Sequence, residues 1–119
     1  MVALLDEAVL RDALAHAAAA VVIFNEDRRF LAVNDCYLEL TGYSRDEVRA
    51  HLAGENLRLD PLDQEQFIGL ITARISVGDA DIVLKNGEPL ALEYVVVPTT
   101  VAGKRLFIGM MWPLLVDGA

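Results

Sequence analysis

The sequence predicts an α+β fold in which two short strands, a run of helices and three further strands form one five-stranded antiparallel sheet with the helices on one face. Three observations predict it. β-Branched and aromatic runs occur at 20–33 and again at 80–114, and they alternate at a period of two. Between them stand helix-start signals: Asn34, Ser44 with Glu47, and Pro61. Asn86-Gly87 and Ala102-Gly103 separate the last three apolar runs as hairpin turns do.

Each element has a local reason. Residues 3–18 read as an Ala/Leu-rich amphipathic helix, with Leu4, Leu5, Ala8, Leu14 and Ala17 in an approximate stripe and Asp6, Glu7, Arg11 and Asp12 polar. This divides the chain into an N-terminal helical cap, 1–18, and a main domain, 19–116. A strand over about 20–25 carries Val21 to Phe24. Asn25, Glu26 and Asp27 turn the chain, Asn25 tying its side chain to the backbone two residues on. Phe30 to Val33 return. Asn34 caps a helix over about 35–41, Asp35 adds negative charge to its first turn, and Gly42 stops it. Ser44 and Glu47 make a capping box for a helix over about 45–52. A loop over 54–60 reaches Pro61, and a longer helix over about 63–77 ends at Gly78. Asp60, Asp63 and Glu65 suit that helix's positive end. Strands at about 80–85, 90–99 and 104–114 close the chain.

Composition narrows the function. With 119 residues the chain is one domain. Hydrophobic residues make up 55% and mean hydropathy is +0.38, more apolar side chain than so small a domain can bury, so some lines a cavity or an interface. A net charge of −8 argues against nucleic acid and anionic membranes, both of which demand basic patches. The single cysteine, Cys36, excludes an internal disulfide and points to a reducing compartment. No stretch reaches the roughly 18–20 apolar residues of a membrane span, and the acidic start is unlike a signal peptide. The expectation is a cytoplasmic protein without membrane insertion, or a cytoplasmic piece of a larger one.

The order Asn34, Leu40-Thr41-Gly42-Tyr43-Ser44, Glu47 resembles the opening of a PAS domain, a sensory input domain of signalling proteins. Gly54-Glu55-Asn56-Leu57-Arg58 resembles that family's G-x-N-x-R segment, Asn86-Gly87 its hairpin turn, Val97-Pro98 its late-strand proline and Gly109 its last-strand glycine. The similarity spans residues 19 to 115. It implies that the first strand lies centrally with the last strand beside it. It also implies that any ligand sits between the sheet and the long helix, where family members hold flavin, haem, organic acids or lipids.

Strand alternation separates two faces. Val22, Phe24, Ile82, Leu92, Tyr94, Val96 and Met111 share the inner face and meet Tyr37, Leu40, Leu57, Phe67, Leu70, Ile71 and Ile75. Both an ordinary filled core and an apolar ligand cavity fit that set. Gly109 and Gly69 remove volume there, and Gly109→Leu reads as a way to fill the space with the fold intact. Tyr94 is the inner-face polar group, so specificity rests on shape, and a fatty acid, sterol-like or aromatic molecule suits the lining. The outer face is apolar too, which a sheet exposed to water on one side does not require. Ile23, Val95, Ile108, Met110 and Trp112, with Leu4, Leu5 and Ala8 of the N-terminal helix, are the expected homodimer interface.

Cofactor chemistry finds little support. In the flavin-binding light-oxygen-voltage branch a reactive cysteine fills the x of G-x-N-x-R; here it is Leu57. Ile82, Leu92 and Met111 stand where that branch uses amides. The long helix has no haem-ligating histidine; His16 and His51 lie elsewhere, and no metal-spaced Cys/His/acid cluster exists. Cys36 reads as a small packing residue, with a helix-end thiol as the alternative. No catalytic constellation is legible. Three functions stay open: a sensor module that binds an apolar molecule, dimerises and signals to an effector domain outside this chain; a ligand-free dimerisation module; and a small enzyme with an apolar cone-shaped pocket, which needs a buried acid.

Overall fold

Asn34 links strand to helix in the first supersecondary unit. Its Oδ1 accepts from Val21 N at 2.9 Å and from Tyr37 N at 3.1 Å, so one amide caps a helix and fixes that helix against the first strand. The computed structural model describes residues 19–114. The expected helix within 1–18, with Leu4, Leu5 and Ala8, lies outside the described residues.

Strands β1 (Ala20–Asn25) and β2 (Phe30–Val33) precede helices α1 (Asp35–Thr41), α2 (Arg45–Arg49) and α3 (Pro61–Ala73), and β3 (Ser76–Val83), β4 (Pro89–Val101) and β5 (Lys104–Pro113) follow. The strands form one antiparallel sheet in the order β2-β1-β5-β4-β3. β5, not β1, holds the middle, with β1 beside it.

Most local signals act as the sequence suggests. Asn25 Oδ1 accepts from Asp27 N at 3.0 Å. Gly42 ends α1 in the left-handed region, φ 84°. Ser44 and Glu47 exchange both bonds of a capping box. Asp60 caps α3 through Asp63 N at 2.9 Å, with Pro61 in its first turn. Pro98 lies past Ser76↔Val96, the last β3–β4 pair, where β4 has a neighbour on one side only.

Three boundaries differ. α2 ends at Arg49 rather than residue 52. α3 ends at Ala73, and Gly78 is no helix stop: it sits inside β3, which starts at Ser76 rather than residue 80. The β-branched Ile75 and Val77 favour extended chain there. Gly78 is needed for room, since a Cβ on it would stand 2.8 Å from the Tyr94 hydroxyl.

Cross-strand pairs set the two faces. Val22↔Gly109↔Val96 points inward, toward Ile68 and Ile71 of α3. Val21↔Met110↔Val95↔Val77 and Ile23↔Ile108↔Val97 point outward, and Trp112 shares that face. Val77 is 73% exposed and Met110 41%. No described helix is long and apolar enough to cross a membrane.

Candidate functional site

Between the inner face and α3 lies a cavity of about 80 Å³. Its floor is the alternate residues of β1, β5, β4 and β3: Val22 and Phe24, Gly109 and Met111, Leu92, Tyr94 and Val96, Ala80 and Ile82. Its roof is Phe67, Ile68 and Ile71 of α3. Phe30, Tyr37, Ala53, Gly54, Asn56 and Leu57 close the side.

The 54–60 loop is placed by backbone bonds. Val83 N donates to Asn56 O at 2.7 Å and Arg58 N to Asp81 O at 2.8 Å, so the loop runs along β3 and brings Leu57 over Ile82. Gln64 of α3 clamps it, its Nε2 donating to the carbonyls of Glu55, Leu57 and Leu59 at 3.1–3.2 Å.

Eleven of the thirteen residues expected at the ligand position line this cavity: Val22, Phe24, Tyr37, Leu57, Phe67, Ile71, Ile82, Leu92, Tyr94, Val96 and Met111. Leu70 and Leu40 do not. Leu70 is 72% exposed, because Phe67, Ile68 and Ile71 define the buried stripe of α3 and leave it on the far side. Leu40 is half-buried and packs against the core away from the cavity. Ile75 is 63% exposed, the helix having ended before it, and Gly69 faces open space, so it opens no hollow. Gly109 does, and a Cβ there would stand 3.0 Å from Val22 Cγ2.

The polar wall of the cavity, buried Tyr37 and half-buried Asn56, is one that strand alternation misses. Burial pushes the Tyr37 hydroxyl's pKa up to about 12, the neighbouring Asn56 side chain partly opposing the rise. Asn56 stands in the G-x-N-x-R segment, and that motif was the available signal. Tyr94 lines the cavity and meets Phe67 edge-on at 5.5 Å, while its hydroxyl lies over Gly78. Burial and then the Asp79 charge raise its pKa. Among the described residues no carboxylate and no histidine lines the cavity.

A second pocket, of about 260 Å³, shares Phe30, Tyr37 and Asn56 with the first and adds Tyr43, Val48, His51, Leu52, Glu55 and Val83. Cys36 is half-buried against the core. Among the described residues no group of three or more His, Cys, Asp or Glu could hold a metal ion.

On the outer face the five described interface candidates, Ile23, Val95, Ile108, Met110 and Trp112, share one surface.

Residues 8–75, more than half of the chain, match the family model described as PAS domain. Among solved structures, a PAS domain of a protein from Desulfitobacterium hafniense superposes with a TM-score of 0.79 at 13% identity, over 87% of this chain and 99% of that one. A domain of the sensory box sensor histidine kinase/response regulator from Geobacter sulfurreducens gives 0.71 at 21%, over 86% and 89%. The LOV protein of Rhodobacter sphaeroides gives 0.73 at 15%, over 92% and 66%. At these identities the likeness is one of fold. No curated protein matches the sequence.

Proposed function

This chain belongs to the PAS domain family, and from that premise we propose that it is the sensor module of a signal-transduction protein, taking a small apolar molecule between its sheet and α3. The observation that carries the reading is the cavity over Gly109, whose lining is apolar apart from Tyr37, Asn56 and Tyr94. At about 80 Å³ it exceeds the roughly 30 Å³ share of one water but falls short of the ~150 Å³ hollow that takes up benzene. A short aliphatic molecule therefore suits it better than an aromatic ring or a sterol. A fatty acyl chain enters only if Phe67 and Tyr94 swing aside.

The lining fits neither flavin nor haem. Leu57, Ile82, Leu92 and Met111 surround the position where a flavin's polar edge would lie, and each unpaired polar group there would cost about 1–3 kcal/mol. Haem would find no histidine among the described lining residues. Among the described residues the cavity offers no acid to support the enzyme reading, and we place any catalysis in an effector domain.

A second reading, a dimerisation module, rests on the outer sheet face, where apolar residues of β1, β5, β4 and β3 lie side by side. The two readings are compatible, and we propose a homodimer through that face.

The experiment is mass spectrometry of the purified protein for a co-purified molecule, followed by melting with and without it. Ala80→Leu, which fills the cavity from β3, removes the stabilisation if the cavity is the site. If no apolar molecule co-purifies and none raises the melting temperature, the dimerisation module is the better account.

A further inference from the structure

The second pocket is chemically unlike the first, and we infer that it is a binding site for a small organic ammonium ion. At about 260 Å³ it exceeds the ~150 Å³ hollow that admits benzene. Three aromatic rings line it, Phe30, Tyr37 and Tyr43. Beside the Asn56 amide and the two tyrosine hydroxyls, its rim carries two acceptors, Glu55 and His51. His51 Nδ1 lies 2.7 Å from the Glu47 carbonyl oxygen, which can only accept, so Nδ1 carries the hydrogen and a neutral ring presents a lone pair at Nε2. That Nε2 lies 3.7 Å from Glu55 Oε2, and the imidazole packs on Tyr43 with ring centres 5.1 Å apart.

Each alternative occupant meets an obstacle. An anion would face the Glu55 carboxylate with no lysine or arginine among the described lining residues to offset it. A wholly apolar molecule would strip water from Glu55 and His51 and return nothing. A metal ion would find two side chains and, among the described residues, no third acid, histidine or cysteine with them. An alkylammonium satisfies both features at once: its charge lies against the aromatic rings and the carboxylate, and its methyl groups fill the apolar part. The net charge of −8 also draws cations to the surface.

The site adjoins the apolar cavity across Phe30, Tyr37 and Asn56, and its test separates the two. Tetramethylammonium is titrated into the full chain and followed by amide chemical shifts, with sodium acetate as the anion control. The expected result is saturable shifts within 43–56 at about millimolar affinity, and none from acetate. Glu55→Gln should weaken binding at least tenfold, and Tyr43→Leu should weaken it as well. Glu55 is exposed, so its variant keeps the test valid if Tyr43→Leu fails to fold. Ala80→Leu, which addresses only the apolar cavity, should leave tetramethylammonium binding unchanged. Absence of saturable shifts, equal binding of acetate, or wild-type affinity in Glu55→Gln would each overturn the assignment.

Discussion

Gly109 on β5 stands directly opposite Val22 on β1, so close that a Cβ at 109 would meet Val22 Cγ2 at 3.0 Å. The missing side chain leaves room for Val22 and opens the cavity floor at the same point. Gly109→Leu is therefore not the harmless filler that the sequence suggests. It should overpack and destabilise by about 1–3 kcal/mol, with Gly109→Ala milder. Urea unfolding measures this, and an unchanged midpoint for the leucine variant would contradict the close approach.

Tyr37 makes alkaline stability a probe of the cavity wall. Its folded pKa, about 12, lies above the ordinary 10.0. The folded state therefore keeps its proton where the unfolded chain loses it. The contribution is fully present below pH 10 and is lost as pH rises toward about 12, amounting to roughly 2–3 kcal/mol. Tyr37→Phe should flatten the stability profile across that window. An equally steep fall in the variant would remove Tyr37 as its cause.

Glu47 governs the acid side. The Lys85 ammonium, 2.8 Å away, and the Ser44 N–H hold its carboxyl at about 2, below the ordinary 4.5. Its contribution is present above 4.5 and is lost as pH falls through about 2. The same carboxylate joins the start of α2 to the β3–β4 turn, so Lys85→Met should raise its titration midpoint and loosen that contact. A carboxyl-carbon NMR titration reads the midpoint. No movement on substitution would show that the cap alone holds it.

These features were unequally legible in the sequence. As helix caps, Asn34, Gly42 and the Ser44–Glu47 pair act within three or four residues of themselves, and such signals read correctly; the Asn34 bond to Val21 N, thirteen residues back, is the part that the cap signal does not carry. The inner face followed from alternation, because the pleat fixes it once one residue is placed. Leu70 and Ile75 misread because α3's phase and end depend on which of its residues the sheet buries. Gly78 misread because its reason lies across the sheet, at Tyr94. Asn56 went unnoticed as a wall residue because its neighbour, Tyr37, is nineteen positions away and a loop brings them together.

The outer face yields a prediction of its own. Ile108 lies between Ile23 and Val97 in the apolar row. If that row is a homodimer interface, Ile108→Lys places an unpaired charge inside it and should produce monomers. Light scattering at matched concentrations decides the matter, and a wild-type monomer would refute the interface.

The central claim, that the space between the sheet and α3 holds an apolar ligand, is tested most directly by native mass spectrometry of the purified protein beside its Ala80→Leu variant. The account predicts a small apolar molecule bound to the wild type, absent from the variant, with both chains folded. A wild type that carries nothing, or a variant that carries the same molecule in equal amount, would contradict it.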